Sequence, residues 1–285
     1  MFYILTALSS EARPLIDFYK LKKIEDKPFF IFANEEQNIL LIVSGIGEEK
    51  ALISTTYLLT KYKTDKDSFL LNIGIAGGSQ NLEIGDIFLI NKLTDLENQK
   101  SFFPDMNFKF DLKESSIFSV KTPQIGEIKN ISENNYLVDM ESVGVFKASN
   151  YFLDTSSLIF IKIISDNLKS NQISQINNKK IEELISKHVH KIDEVISTLK
   201  KVEPSQKYKN SDVNQIVTQI TEFLKLTKSQ EKILFDRIMF YKLKNSKIID
   251  FETLNQTIFY KYNLNNLHKK LKNSILEEVI NLHLI

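Results

Sequence analysis

Two apolar runs constrain this chain more than any other feature. "SFLLNIGIAGG" at 68–78 and "SLIFIKIIS" at 157–165 are dominated by Ile, Leu and Phe, and segments that read as helices lie between and after them. A strand that is apolar on both faces needs cover on both sides. Residues 2–8 read as a further buried strand, followed by a helix from about Ser9 to Tyr19. "PFFIFAN" and "NILLIVSG" read as a hairpin around a short acidic turn. "GEEKALISTTYLLTKY" reads as a helix with Ala51, Ile53, Leu58 and Leu59 contributing to its apolar face. "GDIFLINKL" and "SSIFSVK" are two more strands, 141–153 a helix and 177–201 a long helix. Apolar strands alternating with helices predict an α/β fold, a three-layer α/β/α sandwich around a central mixed sheet.

Glycine and proline mark where that pattern stops. All eight glycines lie at or before Gly144, and the last of five prolines is Pro204. From Ser205 onward the chain carries 13 Lys and Arg against 8 Asp and Glu, so the part before it has an acidic excess. A boundary within "EPSQKYKNSD" divides an α/β domain, 1–203, from an all-helical C-terminal appendage, 204–285. Ser211 is a good capping residue there, and Val213, Ile216, Val217, Ile220, Phe223 and Leu224 share one helical face. Three or four such helices can form a small bundle or cover the sandwich. Their positive charge is spread over solvated faces, so a structural or partner-binding appendage is expected and not a nucleic-acid module.

Composition narrows the rest. The formal net charge of +1 gives no general attraction to nucleic acid or membrane. Without cysteine there is no disulfide and no thiolate, and a zinc site would need His and carboxylate ligands alone. "MFYILTAL" is too short to span a bilayer and lacks the basic flank and cleavage site of a signal peptide, so the cytoplasm is the expected compartment.

Ligands of open α/β sheets sit at the carboxyl ends of the strands. Glu11 falls there after the first strand, Gly77 and Gly78 after a middle one, Glu141 after another and Asp166 after the last. Each acid has a plain alternative. Asp139 and Glu141 in "YLVDMESVGVF" can cap a helix, Asp166 can end a strand, and Glu11 can stand in a first helical turn. Several carboxylates converging with a glycine loop nevertheless suit cleavage of an N-glycosidic bond. Its oxocarbenium-like transition state calls for an acid at the departing base, a base to activate water and an acceptor for sugar hydroxyls.

"ALSSEARPLI", "VSGIGEEKA", "NIGIAGGSQNLEIGDI", "VDMES" and "IKIISDN" follow one another in an order that resembles the purine nucleoside phosphorylase superfamily, nearest its methylthioadenosine/S-adenosylhomocysteine nucleosidase branch. The resemblance covers roughly residues 1–200. It implies that Glu11 activates the attacking water and that Asp166 assists protonation of the purine at its N7 edge. It also implies that Glu141 binds the ribose hydroxyls, that Met140 packs on the sugar, and that Ile75, Gly77, Gly78 and Ser165 complete the binding set. Asp139 is then a structural neighbour. The expected ligand is a small-molecule nucleoside, with no cofactor and no metal, and the expected assembly is a homodimer. Hexameric phosphorylases carry a phosphate-gripping arginine where this chain has Asn72, and a neutral amide cannot replace that fork. Hydrolysis is therefore the leading expectation. The alternatives are a phosphorylase, or a nucleoside-binding regulatory protein on the same scaffold.

Three secondary features complete the picture. Relatives' base-stacking phenylalanine has no clear counterpart; "KTPQIG" offers Gln124 or Ile125, and Phe102 or Phe103 could stack instead. Arg13 could supply a positive charge, although on a helix it is more often solvated. His188 and His190 stand about 200° apart on a helix, which argues against a shared metal.

Overall fold

In β1 (Phe2–Thr6) the side chains alternate between two cores. Phe2 and Ile4 join one apolar cluster, Tyr3 and Leu5 the other. The same division runs through β4 (Ile39–Val43) and β5 (Phe69–Gly78): Ile39, Leu41 and Leu71 face with Phe2, while Leu40, Ile42 and Leu70 face with Tyr3. This period of two places every second residue on one face of a strand. The computed structural model describes residues 1–201 apart from 37, 63, 66, 130 and 132, and a sparser set between 211 and 278.

Helices cover both faces. α1 (Ser9–Tyr19) contributes Ala12 and Leu15 to the Phe2 side. α5 (Asn178–Lys201) adds a stripe there from Ile181 to Leu199 at helical spacing. α2 (Glu48–Lys61) and α3 (Ser142–Ser149) cover the other side with Ala51, Leu58, Leu59, Val143, Val145 and Phe146. Fully burying one such side chain contributes about 1.5–3 kcal/mol, so these two cores dominate the folding free energy. The three-layer α/β/α sandwich with a mixed sheet stands as expected.

The sheet has more strands than the sequence reading found. β2 (Lys22–Glu25) pairs with the hairpin strand β3 (Phe30–Ala33), and β7 (Lys100–Phe102) pairs with β6 (Ile87–Asp95). β8 (Lys113–Ser119) runs parallel to both β6 and the short β9 (Tyr136–Asp139). β10 (Leu158–Asp166) lies between β5 and β6. The last residues of β5, Gly77 and Gly78, turn to pair with Val138 and Leu137, so this part of the sheet curls back on itself. A β-carbon at Gly77 would stand 2.4 Å from Leu168 Cδ2, so a side chain there would require Leu168 to shift. After β10 come the one-turn α4 (Ser170–Ile173) and then α5.

The chain divides into two compact units, Met1–Val202 and Glu203–Ile285. In the second, α6 (Ser211–Leu224) buries Val213, Ile216, Val217, Ile220 and Leu224, in a cluster with Leu234, Ile238, Leu254, Phe259 and Ile275. The linker at 203–210 and His268 and His283 lie outside the described residues. No helix among the described residues is long and apolar enough to cross a membrane. Both sandwich cores are drawn from residues before 200. A chain truncated after Val202 is therefore expected to unfold cooperatively, as followed by circular dichroism, and loss of that transition would place the tail inside the core.

Candidate active site

Strand ends and the starts of α1 and α3 surround a cavity of about 180 Å³. Glu11, Asp139, Glu141 and Asp166 line it together with Met140, Ile75, Gly77 and Ser165. Gly78 does not. It pairs with Leu137 and approaches Ile164 on the opposite side, because successive strand positions face opposite ways.

Each acid is held differently. Glu11 Oε2 accepts the N–H groups of Ala7 and Leu8 at 2.8 and 2.9 Å, and Oε1 accepts that of Ile75 at 2.8 Å. The carboxylate thus ties the turn after β1 to β5. Burial pushes its pKa up, against the Ile75 N–H, the Lys162 charge and the other N–H donors. Glu141 Oε1 accepts the Gly47 N–H at 2.8 Å, from the residue that opens α2. Its pKa is pushed up to about 7, first by burial and then by the adjacent Asp139 charge, with Lys162 and the Gly47 N–H opposing. Asp166 Oδ1 accepts the Leu168 N–H at 2.9 Å, and Ser165 Oγ lies 2.7 Å from Oδ2.

Asp139 sits beneath these three. Its Oδ1 accepts from Ser119 Oγ at 2.6 Å, and its Oδ2 accepts the Ser142 N–H at 3.0 Å and lies 2.9 Å from Lys162 Nζ. Burial alone would raise its pKa, but Lys162 and the two serine hydroxyls outweigh that and hold it below the ordinary range. Asp139 therefore caps α3 and pairs with a buried cation, as a structural neighbour of Glu141 would.

The sequence reading missed Lys162, a lone charge in an apolar strand and only 1% exposed. That polar interruption was its available signal. It also missed Leu168, which holds a left-handed φ of 58° uncommon for a branched residue and lines the cavity beside Asp166. Its carbonyl accepts the Gly126 N–H at 2.7 Å, joining the acid's loop to the loop after β8. From that second loop Val120, Pro123 and Gln124 line the cavity, while Ile125 is 64% exposed.

Other candidates fall outside. Phe102 packs on Phe146 with ring centroids 5.2 Å apart, and Phe103 is 60% exposed. Arg13 pairs with Asp17 on the exposed face of α1. His188 Nε2 meets the Gly85 carbonyl at 2.7 Å, whereas His190 stands edge-on to Phe18. Asn72 is buried, with Nδ2 donating to the Leu5 carbonyl at 3.3 Å and Oδ1 lying 3.2 Å from Ser142 Oγ. Among the described residues no Lys or Arg lines the cavity.

No family model matches the chain. Two curated relatives are 5'-methylthioadenosine/S-adenosylhomocysteine nucleosidases of Buchnera aphidicola. The Schizaphis graminum strain's protein is 29% identical over 206 residues, covering 60% of this chain and 86% of its own length. That of an Acyrthosiphon pisum strain is 28% identical over 228 residues, covering 68% and 95%. Among solved structures, the nucleosidase of that name from Helicobacter pylori with butyl-thio-DADMe-Immucillin-A superposes with a TM-score of 0.55 at 16% identity, covering 69% of this chain and 97% of its own. Futalosine hydrolase from the same species superposes equally well, with a TM-score of 0.55 at 16% identity over 69% and 97%. At these identities the superpositions carry the fold alone.

Two outcomes follow from the electrostatics. Between the ordinary 4.5 and about 7, folded Glu141 keeps a proton that the unfolded chain has released, so raising the pH through that window removes stability. Glu141 should cost the parent on the order of 3 kcal/mol between about pH 5 and about pH 8, and Glu141→Gln should flatten that slope in urea unfolding. Lys162→Met leaves Asp139 buried without its cation and should cost about 3–5 kcal/mol in the same measurement.

Proposed function

We propose that this chain, a member of the purine nucleoside phosphorylase superfamily nearest its methylthioadenosine/S-adenosylhomocysteine nucleosidase branch, is a nucleosidase that hydrolyses the N-glycosidic bond of a purine-nucleoside-like metabolite. The observation that carries this is the cavity's charge: four carboxylates line it and, among the described residues, no cation does. Lys162 beneath the cavity offsets only part of that charge, so a phosphate dianion would meet net repulsion, and Asn72, at the place of the phosphorylase arginine, is turned inward and engaged. Water needs no counter-charge, so water is the nucleophile.

The roles are those that the resemblance implies, and the shared position of these residues around one cavity supports them. Asp166, beside Leu168 on the cavity wall, assists protonation at the N7 edge of the purine as the glycosidic bond breaks. The electron pair of that bond leaves with the base, and the sugar becomes oxocarbenium-like. Glu11, with its carboxyl raised by burial, takes a proton from the water that adds to the sugar carbon. Glu141 accepts hydrogen bonds from the ribose hydroxyls, and Met140 packs against the sugar. Ile75, Gly77 and Ser165 close the remaining walls. The reading includes a cytoplasmic location and a homodimer; the exposed apolar residues Ile46, Leu52 and Ile53 around the start of α2, where Ile46 also lines the cavity, support the dimer.

Asp166→Asn keeps the side chain's size but removes its ionisable proton, and should lower turnover about 10²–10⁴-fold without unfolding the chain. Product analysis separates the readings. Free ribose sugar is expected whether or not phosphate is present; a sugar 1-phosphate would establish a phosphorylase, and saturable nucleoside binding without turnover would establish a binding protein.

A further inference from the structure

α3 begins packed closely against the backbone at the start of α2. A β-carbon on Gly144 would stand 2.3 Å from the Glu48 carbonyl oxygen and 3.1 Å from its carbonyl carbon, so any larger residue must displace backbone. One turn further on, Lys147 Nζ lies 2.7 Å from Glu48 Oε1 and 3.0 Å from Asp95 Oδ2. Asp95 ends β6, so this lysine joins α3 to both α2 and the sheet. Glu48 follows Gly47, and the Gly47 N–H is the donor 2.8 Å from Glu141 Oε1. Glu141 itself is the residue that opens α3. One close contact and one ion pair therefore hold the two helix starts at the separation that this hydrogen bond requires.

We propose that Gly144 and Lys147 are positioning residues for Glu141: through Glu48 they keep the Gly47 N–H on one oxygen of the carboxylate, which leaves the other free to face the ribose. The inference rests on the reading of Glu141 as the ribose acceptor. Neither residue lines the cavity, so neither touches the ligand. Among the described residues Glu141 Oε2 accepts only the Met140 N–H at 3.3 Å, a long contact that a sugar hydroxyl can displace. Without the Gly47 donor the side chain is free to rotate, and the carboxylate no longer presents a fixed oxygen.

The test uses 5′-methylthioadenosine and its 2′-deoxy analogue with the full-length chain, and reads the ratio of their kcat/KM values. Gly144→Ala should lower that ratio about tenfold, mostly through KM, the loss expected when one hydrogen bond to a charged group is misplaced. Lys147→Met should lower it about threefold and Lys147→Arg should hold it within about twofold, because a surface-side ion pair is worth less. In a Glu141→Gln background Gly144→Ala should change the ratio by less than about twofold, since coupled residues act through one interaction. Equal losses in both backgrounds, or an unchanged ratio in folded Gly144→Ala and Lys147→Met, would overturn the clamp while leaving Glu141's role intact. A ratio unmoved by Glu141→Gln would overturn that role and the clamp with it. If Gly144→Ala does not fold, the Lys147 pair decides on the same ratio.

Discussion

Lys162 Nζ lies 2.9 Å from Asp139 Oδ2, and both side chains are almost wholly buried. Glu11 and Glu141 feel the same cation. Carboxylates brought this close repel one another, and burial penalises each of them further. A single buried ammonium offsets part of that repulsion from below without entering the cavity. Burial opposes its charge, yet Asp139 and then Glu141 outweigh burial and hold its pKa above the ordinary lysine value. The pair is completed by Ser119 and the Ser142 N–H, so Asp139 has no unmet hydrogen-bonding capacity that would reach for the ligand.

Given that support, the remaining acids can differ. Asp139 is held ionised by a cation and hydroxyls, whereas Glu141, two residues on, is pushed to about 7. The difference arises because Asp139 touches the lysine, whereas Glu141, among the described residues, accepts only from backbone N–H groups and feels the Asp139 charge. Such a separation lets neighbouring acids take distinct roles near neutral pH. The curl of the sheet serves the same end. By pairing the last residues of β5 with β9, it brings Gly77 and Ile75 to face Met140 and Glu141 across the cavity.

The long apolar strands and the helices α1, α2 and α5 were legible because each has a local cause, a period of two or of 3.6 residues. The polar β2 and the three-residue β7 were not, since such short edge strands exist only through pairing partners distant in sequence. Of the candidate site, Glu11, Glu141 and Asp166 were legible from motif and strand-end position. Lys162 was hidden because a lysine in a buried strand makes sense only once its carboxylate partner, 23 positions earlier, is known to lie beside it.

By itself, the sequence determined the long apolar strands and the main helices, where glycine and proline stop, and which acids stand at strand ends. These depend on neighbours along the chain and on side-chain chemistry. Only the tertiary structure decided that Gly77 faces the cavity and Gly78 does not, that Asn72 is turned inward, and that Asp139 is paired with a cation. It also decided that the start of one helix supplies the donor for an acid at the start of another. Burial and charge pairing are properties of three-dimensional proximity, and residues 94 positions apart acquire it only when the sheet has formed and the helices have closed over it.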